Sequence, residues 1–195
     1  MSDNNWKLPH KLQRQAVREG RRLRVFCGSM CDVFSNDAPA GQRERLWQVI
    51  RETPDMDWLL LTKRAPNIKR FLPDDWGDGF HNVWLGVTVE DVKRGVPRVD
   101  ILRSVPAVIR FLSCEPLLED VSSRLDLTGI DWIICGGESG NDARQMAVDW
   151  VSRLRLLAQI WEVAFFFKQW GGTGLAKGGC LIGDFEYKDF PACQP

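Results

Sequence analysis

Charged and hydrogen-bonding residues follow short apolar runs at five places in this chain. Leu59-Leu60-Leu61 leads to Thr62 and Lys63, and Trp84 to Val87 leads to Thr88 and Glu90. Phe111-Leu112 leads to Ser113 and Glu115, Trp132 to Cys135 leads to Glu138, and Phe165 to Phe167 leads to Lys168 and Gln169. Asp32 follows a sixth run, Arg24 to Cys27. The candidate ligand-binding residues are therefore Lys63, Glu90, Glu115, Glu138 and Lys168, with Thr62, Ser113 and Gln169 as hydrogen-bonding neighbours. In such a set the lysines would hold an anionic group and the carboxylates would orient amines or hydroxyls. Charges gathered on one rim are costly to desolvate unless they pair with each other or with a ligand. Both a binding site and a self-satisfied ring of ion pairs fit the pattern, and no residue is assigned as acid or base.

Other chemistries have less support. Two histidines, His10 and His81, are too few for a histidine-based zinc site, and no metal ligands are assigned. Cys27-x3-Cys31 matches the first two positions of a Cys-x3-Cys-x2-Cys cluster motif, but the third position is Phe34. Ser113 and Ser139 have no histidine placed to activate them. Gly136-Gly137-Glu138-Ser139-Gly140 lacks the spacing of the glycine-rich phosphate loops.

The elements that must position these residues alternate strand with helix. Continuous apolar strands without alternation are expected at 24–27, 57–61, 83–87, 108–112, 131–135 and 163–167. Helices are expected over about 41–53, 65–72, 92–104 with a break or late start at Pro97, and 149–161 with Asp149 as N-cap. Six strand–helix units argue an α/β fold with a parallel sheet, either doubly wound or barrel-like, and both collect ligands at the carboxyl ends of the strands. Residues 1–22 form a basic helical segment, made cationic by Arg14, Arg18, Arg21 and Arg22, which suits either a solvated face or an anion or partner contact. Residues 23–172 form the strand–helix body, and 173–195 a glycine-rich tail.

Composition narrows the function classes. The 195 residues make one domain, with 26 basic residues against 26 acidic, so nucleic-acid binding is possible but not indicated by global charge. No apolar run approaches a membrane span, and the polar N-terminus has no signal-peptide core, so a cytoplasmic location is expected. Six cysteines in such a chain are free thiols or ligands, and most of the nine tryptophans are core. Trp6, Trp76 and Trp170 fall in expected loops, where they could line a site.

Taken together, Arg24 to Phe34, Trp58 to Arg64, Asn82 to Glu90, Arg110 to Leu118, Ile130 to Gly140 and Phe165 to Gly171 resemble one family. It is the uncharacterised phage and prophage family with a three-cysteine motif, itself similar to radical-adenosylmethionine enzymes. The resemblance covers about residues 4–172 and implies an incomplete TIM-like, radical-SAM-like barrel. It also implies a phage-encoded protein in the host cell cytoplasm. In that family the cysteines that hold a [4Fe–4S] cluster precede the segment matching Asn5 to Pro9, so the resemblance implies that this chain lacks the cluster unit and does not form the cluster alone. S-adenosylmethionine remains a possible ligand.

Three functions are compatible with this. One is a truncated relative that binds S-adenosylmethionine or another small anionic or nucleotide-type ligand at the rim without radical chemistry. Another is one half of a split radical enzyme. The last is a non-catalytic accessory protein that binds another protein, for example to inhibit a host defence complex. The first strand would have one open edge, so a homodimer or a protein partner covering it is expected.

Overall fold

The computed structural model describes residues 3–27, 31–174 and 176–192. Six strands, β1 (Leu23–Cys27), β2 (Met56–Thr62), β3 (Val83–Thr88), β4 (Ile109–Cys114), β5 (Trp132–Gly136) and β6 (Ala164–Gln169), form one parallel sheet in the order β1-β2-β3-β4-β5-β6. Helices α1 (Asp3–Glu19), α2 (Gln42–Arg51), α3 (Ile68–Phe71), α4 (Pro97–Arg103) and α5 (Val148–Ile160) precede and separate the strands. The strand order follows the chain without reversing, which is the singly wound order of barrel-type folds and not that of a doubly wound sheet. No helix among the described residues is long and apolar enough to cross a membrane.

The chain divides into two compact units, residues 1–85 with 105–108 and residues 86–104 with 109–195, and β3 contributes to both. In the first unit β1 runs parallel to β2, Leu23 opposite Met56 through Cys27 opposite Leu60. Nearly every residue of β2 is buried, as its unbroken apolar run requires. The buried Asp57 carboxylate is paired with Arg22 Nε at 2.6 Å, so the charge is not left alone in the core. Helix α1 lies within the expected segment and takes in Trp6 and Pro9; Pro9 stands in its second turn, where the proline removes one i→i−4 N–H donor. Trp6 and Ala16 turn inward, and Gln13 clasps Asp55 through both its amide groups. Trp76 is also buried, edge-on to Trp47 with ring centroids 5.8 Å apart. The Trp6 and Trp76 rings are both packed into the core of this unit.

In the second unit Phe111 to Cys114 pair with Trp132 to Cys135, and Trp132 to Cys135 pair with Ala164 to Phe167. Helix α4 begins at Pro97, so the break at this proline is a late start. Asp91 holds the turn before it by accepting the Arg94 and Gly95 N–H groups. Helix α5 buries Val151, Leu154 and Ala158. Its N-cap is Ala147 without a side-chain cap bond, and Asp149 lies in the first turn, where its charge meets the helix dipole instead. The glycine-rich segment folds back on the sheet. After the short hairpin β7 (Leu181–Ile182) and β8 (Phe185–Glu186), Phe167 N–H donates to Tyr187 O at 2.8 Å and Asp189 N–H to Phe165 O at 3.1 Å, which covers the outer edge of β6. Phe190 then packs against Trp132 and Phe166, at 5.1 and 5.4 Å between centroids.

Candidate functional site

The expected site residues fall into separate hydrogen-bonded groups at the strand ends. In the first unit the Asp32 carboxylate accepts bonds from Thr62 Oγ1 at 2.8 Å, Phe34 N–H at 2.9 Å, Lys63 N–H at 3.2 Å and Arg64 Nη1 at 3.1 Å. Thr62 is buried and Lys63 exposed. This carboxylate is saturated, and it ties the segment after β1 to the end of β2. Gly28, Ser29 and Met30, which the sequence places at the same strand end, lie outside the described residues.

In the second unit the register of β5 against β6 changes at its last step. Cys135 faces Phe167, but Gly136 faces Gln169, so Lys168 is an extra residue in the ladder. A bulge of this kind re-aims side chains. Here it lets two consecutive residues reach one acceptor: Lys168 Nζ lies 2.8 and 3.0 Å from the two Glu115 oxygens, and Gln169 Nε2 lies 3.4 Å from Oε1. Gln169 also donates to Ser139 Oγ at 2.9 Å. The Glu115 and Lys168 side chains are 21% and 49% exposed, so the pair is open to solvent on one side.

Two glycine pairs bring the loops after β5 and β6 together. A Cβ on Gly137 would lie 1.8 Å from Trp170 O, and one on Gly171 would lie 2.4 Å from Glu138 O. Only residues without side chains permit this approach. The contact is stitched by Gly137 N–H to Gln169 O at 2.9 Å, Gly172 N–H to Glu138 O at 2.7 Å and Gly140 N–H to Gly172 O at 3.2 Å. The Gly-Gly-Glu-Ser-Gly stretch is thus a backbone clasp that presents Glu138 and Ser139.

The remaining carboxylates have arginine partners six and eight residues further along the chain. Glu138 accepts two bonds from Arg144 side-chain nitrogens and one from its N–H, which lowers the carboxyl pKa to about 2. Glu90 is held by Arg98 Nη1 at 2.6 Å in a largely buried pair, and Arg98 also donates to Thr88 O. Ser113 is buried, and its carbonyl accepts Val89 N–H at 2.9 Å. Arg98 and Arg144 escaped the sequence reading because no periodic spacing links them to Glu90 and Glu138.

The structure therefore brings Glu115, Lys168 and Gln169 together, adds Ser139, and places Glu138 on the adjoining loop. Cys27, Cys114 and Cys135 are poor ligands as they stand. Burial first, and then the neighbouring Cys31, push the Cys27 thiol up to about 12, and Phe34, at the third motif position, is fully buried core. Cys27, Cys31 and Phe34 do not make the donor set of a three-thiolate cluster. Burial likewise pushes Cys114 to about 12 and Cys135 well above its ordinary value. Among the described residues no group of three histidine, cysteine or acidic side chains is arranged to hold a metal ion.

No curated protein and no solved structure matches this chain. A family model matches residues 1–181, and the chain belongs to that family, described as a protein of unknown function (DUF5131).

Proposed function

We propose that the strand ends of β4, β5 and β6 bind a small zwitterionic or nucleotide-type ligand, with S-adenosylmethionine as the leading candidate, and that this chain binds it without carrying out radical chemistry alone. The observation that carries the reading is the half-exposed Glu115–Lys168 pair, fixed by Gln169 and set beside the glycine clasp. A ligand with an ammonium and a carboxylate replaces such a pair charge for charge. The ammonium takes Glu115, the carboxylate takes Lys168, and no buried charge is left without a partner. Ser139 Oγ and the Glu138 carboxylate offer further acceptors to an amine or hydroxyl. The resemblance to phage-encoded radical-adenosylmethionine barrels belongs to this proposal and supports the choice of ligand.

Calorimetric titration with S-adenosylmethionine tests it. One saturable site, weakened about tenfold or more by Glu115→Gln and by Lys168→Met, is the expected result, since each removes one charge-assisted contact. Absence of saturable heat in the wild-type protein would overturn it.

The protein-binding reading keeps one observation in its favour. Strand β1 ends the sheet, and Phe26 on it is 44% exposed, a poor design for an edge left uncovered. A second copy or a partner strand along β1 would cover it. Sedimentation of the wild-type protein as a concentration-independent monomer would count against self-association there.

A further inference from the structure

Helix α1 carries a line of like charges. Lys7, Lys11, Arg14 and Arg18 are spaced four, three and four residues apart and are all exposed, on the side of the helix away from buried Trp6 and Ala16. Among the described residues Lys7, Lys11 and Arg14 make no ion pair, and Arg18 lies near only Glu19, which Gln15 and Arg21 already hold. Elsewhere in this net-neutral chain many arginines are closely paired with carboxylates, as in Arg22 with Asp57, Arg98 with Glu90 and Arg144 with Glu138. Like charges at these spacings oppose helix formation, so nothing in the folding of α1 calls for the line.

We infer that this face of α1 docks on the phosphate backbone of double-stranded DNA, independently of base sequence. The four cations extend over about 16 Å of helix axis at intervals of about 4.5 to 6 Å, a rigid row suited to the dense and regular charge of a duplex. Two features of the helix argue against other polyanions. Its apolar face is buried within its own unit, which leaves only Leu8 and Val17 at the margins of the stripe and no face to enter a membrane. The outer face also carries no aromatic side chain on which unpaired bases could stack, so a single strand is the poorer fit. Global neutrality confines the attraction to this face.

The test is anisotropy of a short labelled duplex of mixed sequence, titrated with the full chain across a range of salt. Four phosphate contacts give a slope of log affinity against log salt of about −3.5. The variant Lys7→Gln/Lys11→Gln/Arg14→Gln/Arg18→Gln is expected to lose about tenfold or more in affinity and most of that slope. Its melting temperature should be equal or higher, because the substitutions relieve repulsion, so loss of binding is separable from loss of fold. The control Lys69→Gln/Arg70→Gln removes exposed positive charge from the same unit and should bind as the wild type does. Unchanged affinity in the four-site variant, or no duplex binding at low salt, overturns the inference. Equal or tighter binding of polyglutamate or of single strands overturns the choice of partner.

Discussion

Substituting Gly137 by alanine should damage this protein far more than the same change one residue earlier. At Gly137 the new Cβ would lie 1.8 Å from the Trp170 carbonyl oxygen and 2.6 Å from its carbon, and both belong to backbone. At Gly136 it would meet only the Glu115 side chain, with its Cγ and Cδ at 3.3 Å, and that side chain can shift. Relieving the Gly137 clash means parting the loops after β5 and β6, which share three backbone hydrogen bonds. At about 1 kcal/mol for each bond, Gly137→Ala should cost about 3 kcal/mol, and Gly136→Ala less than about 1 kcal/mol. Urea unfolding followed by far-ultraviolet circular dichroism measures both. The expected Gly137→Ala loss corresponds to a fall of about 6–12 °C in melting temperature for a chain of this size. Gly136→Ala should fold normally yet weaken ligand binding, because it displaces Glu115. A Gly137→Ala protein as stable as Gly136→Ala would refute the clasp.

Other parts of the structure make their own predictions. Arg98→Met should destabilise by about 3 kcal/mol in urea unfolding, since it strips a buried carboxylate of its main partner; Glu90→Gln on that background should recover part of the loss. Asn82→Ala removes the donor to Ile50 O and Thr53 O at the end of α2 and should cost about 2 kcal/mol by the same measurement. The Glu138 carboxyl, lowered to about 2 by Arg144, contributes stability that is present above its ordinary pKa of 4.5 and is lost as pH falls through about 2. Arg144→Gln should raise that pKa toward the ordinary value in a carbon-detected titration. Anaerobic reconstitution of this chain with iron and sulfide should give no stoichiometric cluster absorbance, because Cys27 is held as a thiol and Phe34 stands at the third position.

The sheet was legible in the sequence because strands buried on both faces must be apolar without alternation, and Trp58 to Leu61 or Trp132 to Cys135 admit little else. That Pro97 would break or delay its helix was legible for a similar reason, proline being best tolerated at the first position of a helix, whereas Pro9 inside α1 went against the same rule. The pairing of the rim charges was not legible. Glu90 and Arg98 are eight residues apart, Glu138 and Arg144 six, and Glu115 and Lys168 fifty-three, and no local rule connects them. The bulge at Lys168 also leaves no mark in the sequence, since it is a property of register between two strands. The fold of the tail over β6 was hidden by its glycines, which speak for loose structure even where Tyr187 and Asp189 supply regular edge bonds.

The most direct measurement is an amide chemical-shift titration of the assigned protein with S-adenosylmethionine, because it locates the ligand as well as detecting it. The proposal predicts saturable shifts concentrated at Glu115, at Gly136 to Ser139 and at Lys168 to Trp170, and their loss in Glu115→Gln. Saturable shifts confined to other parts of the chain, or none at all, would contradict it.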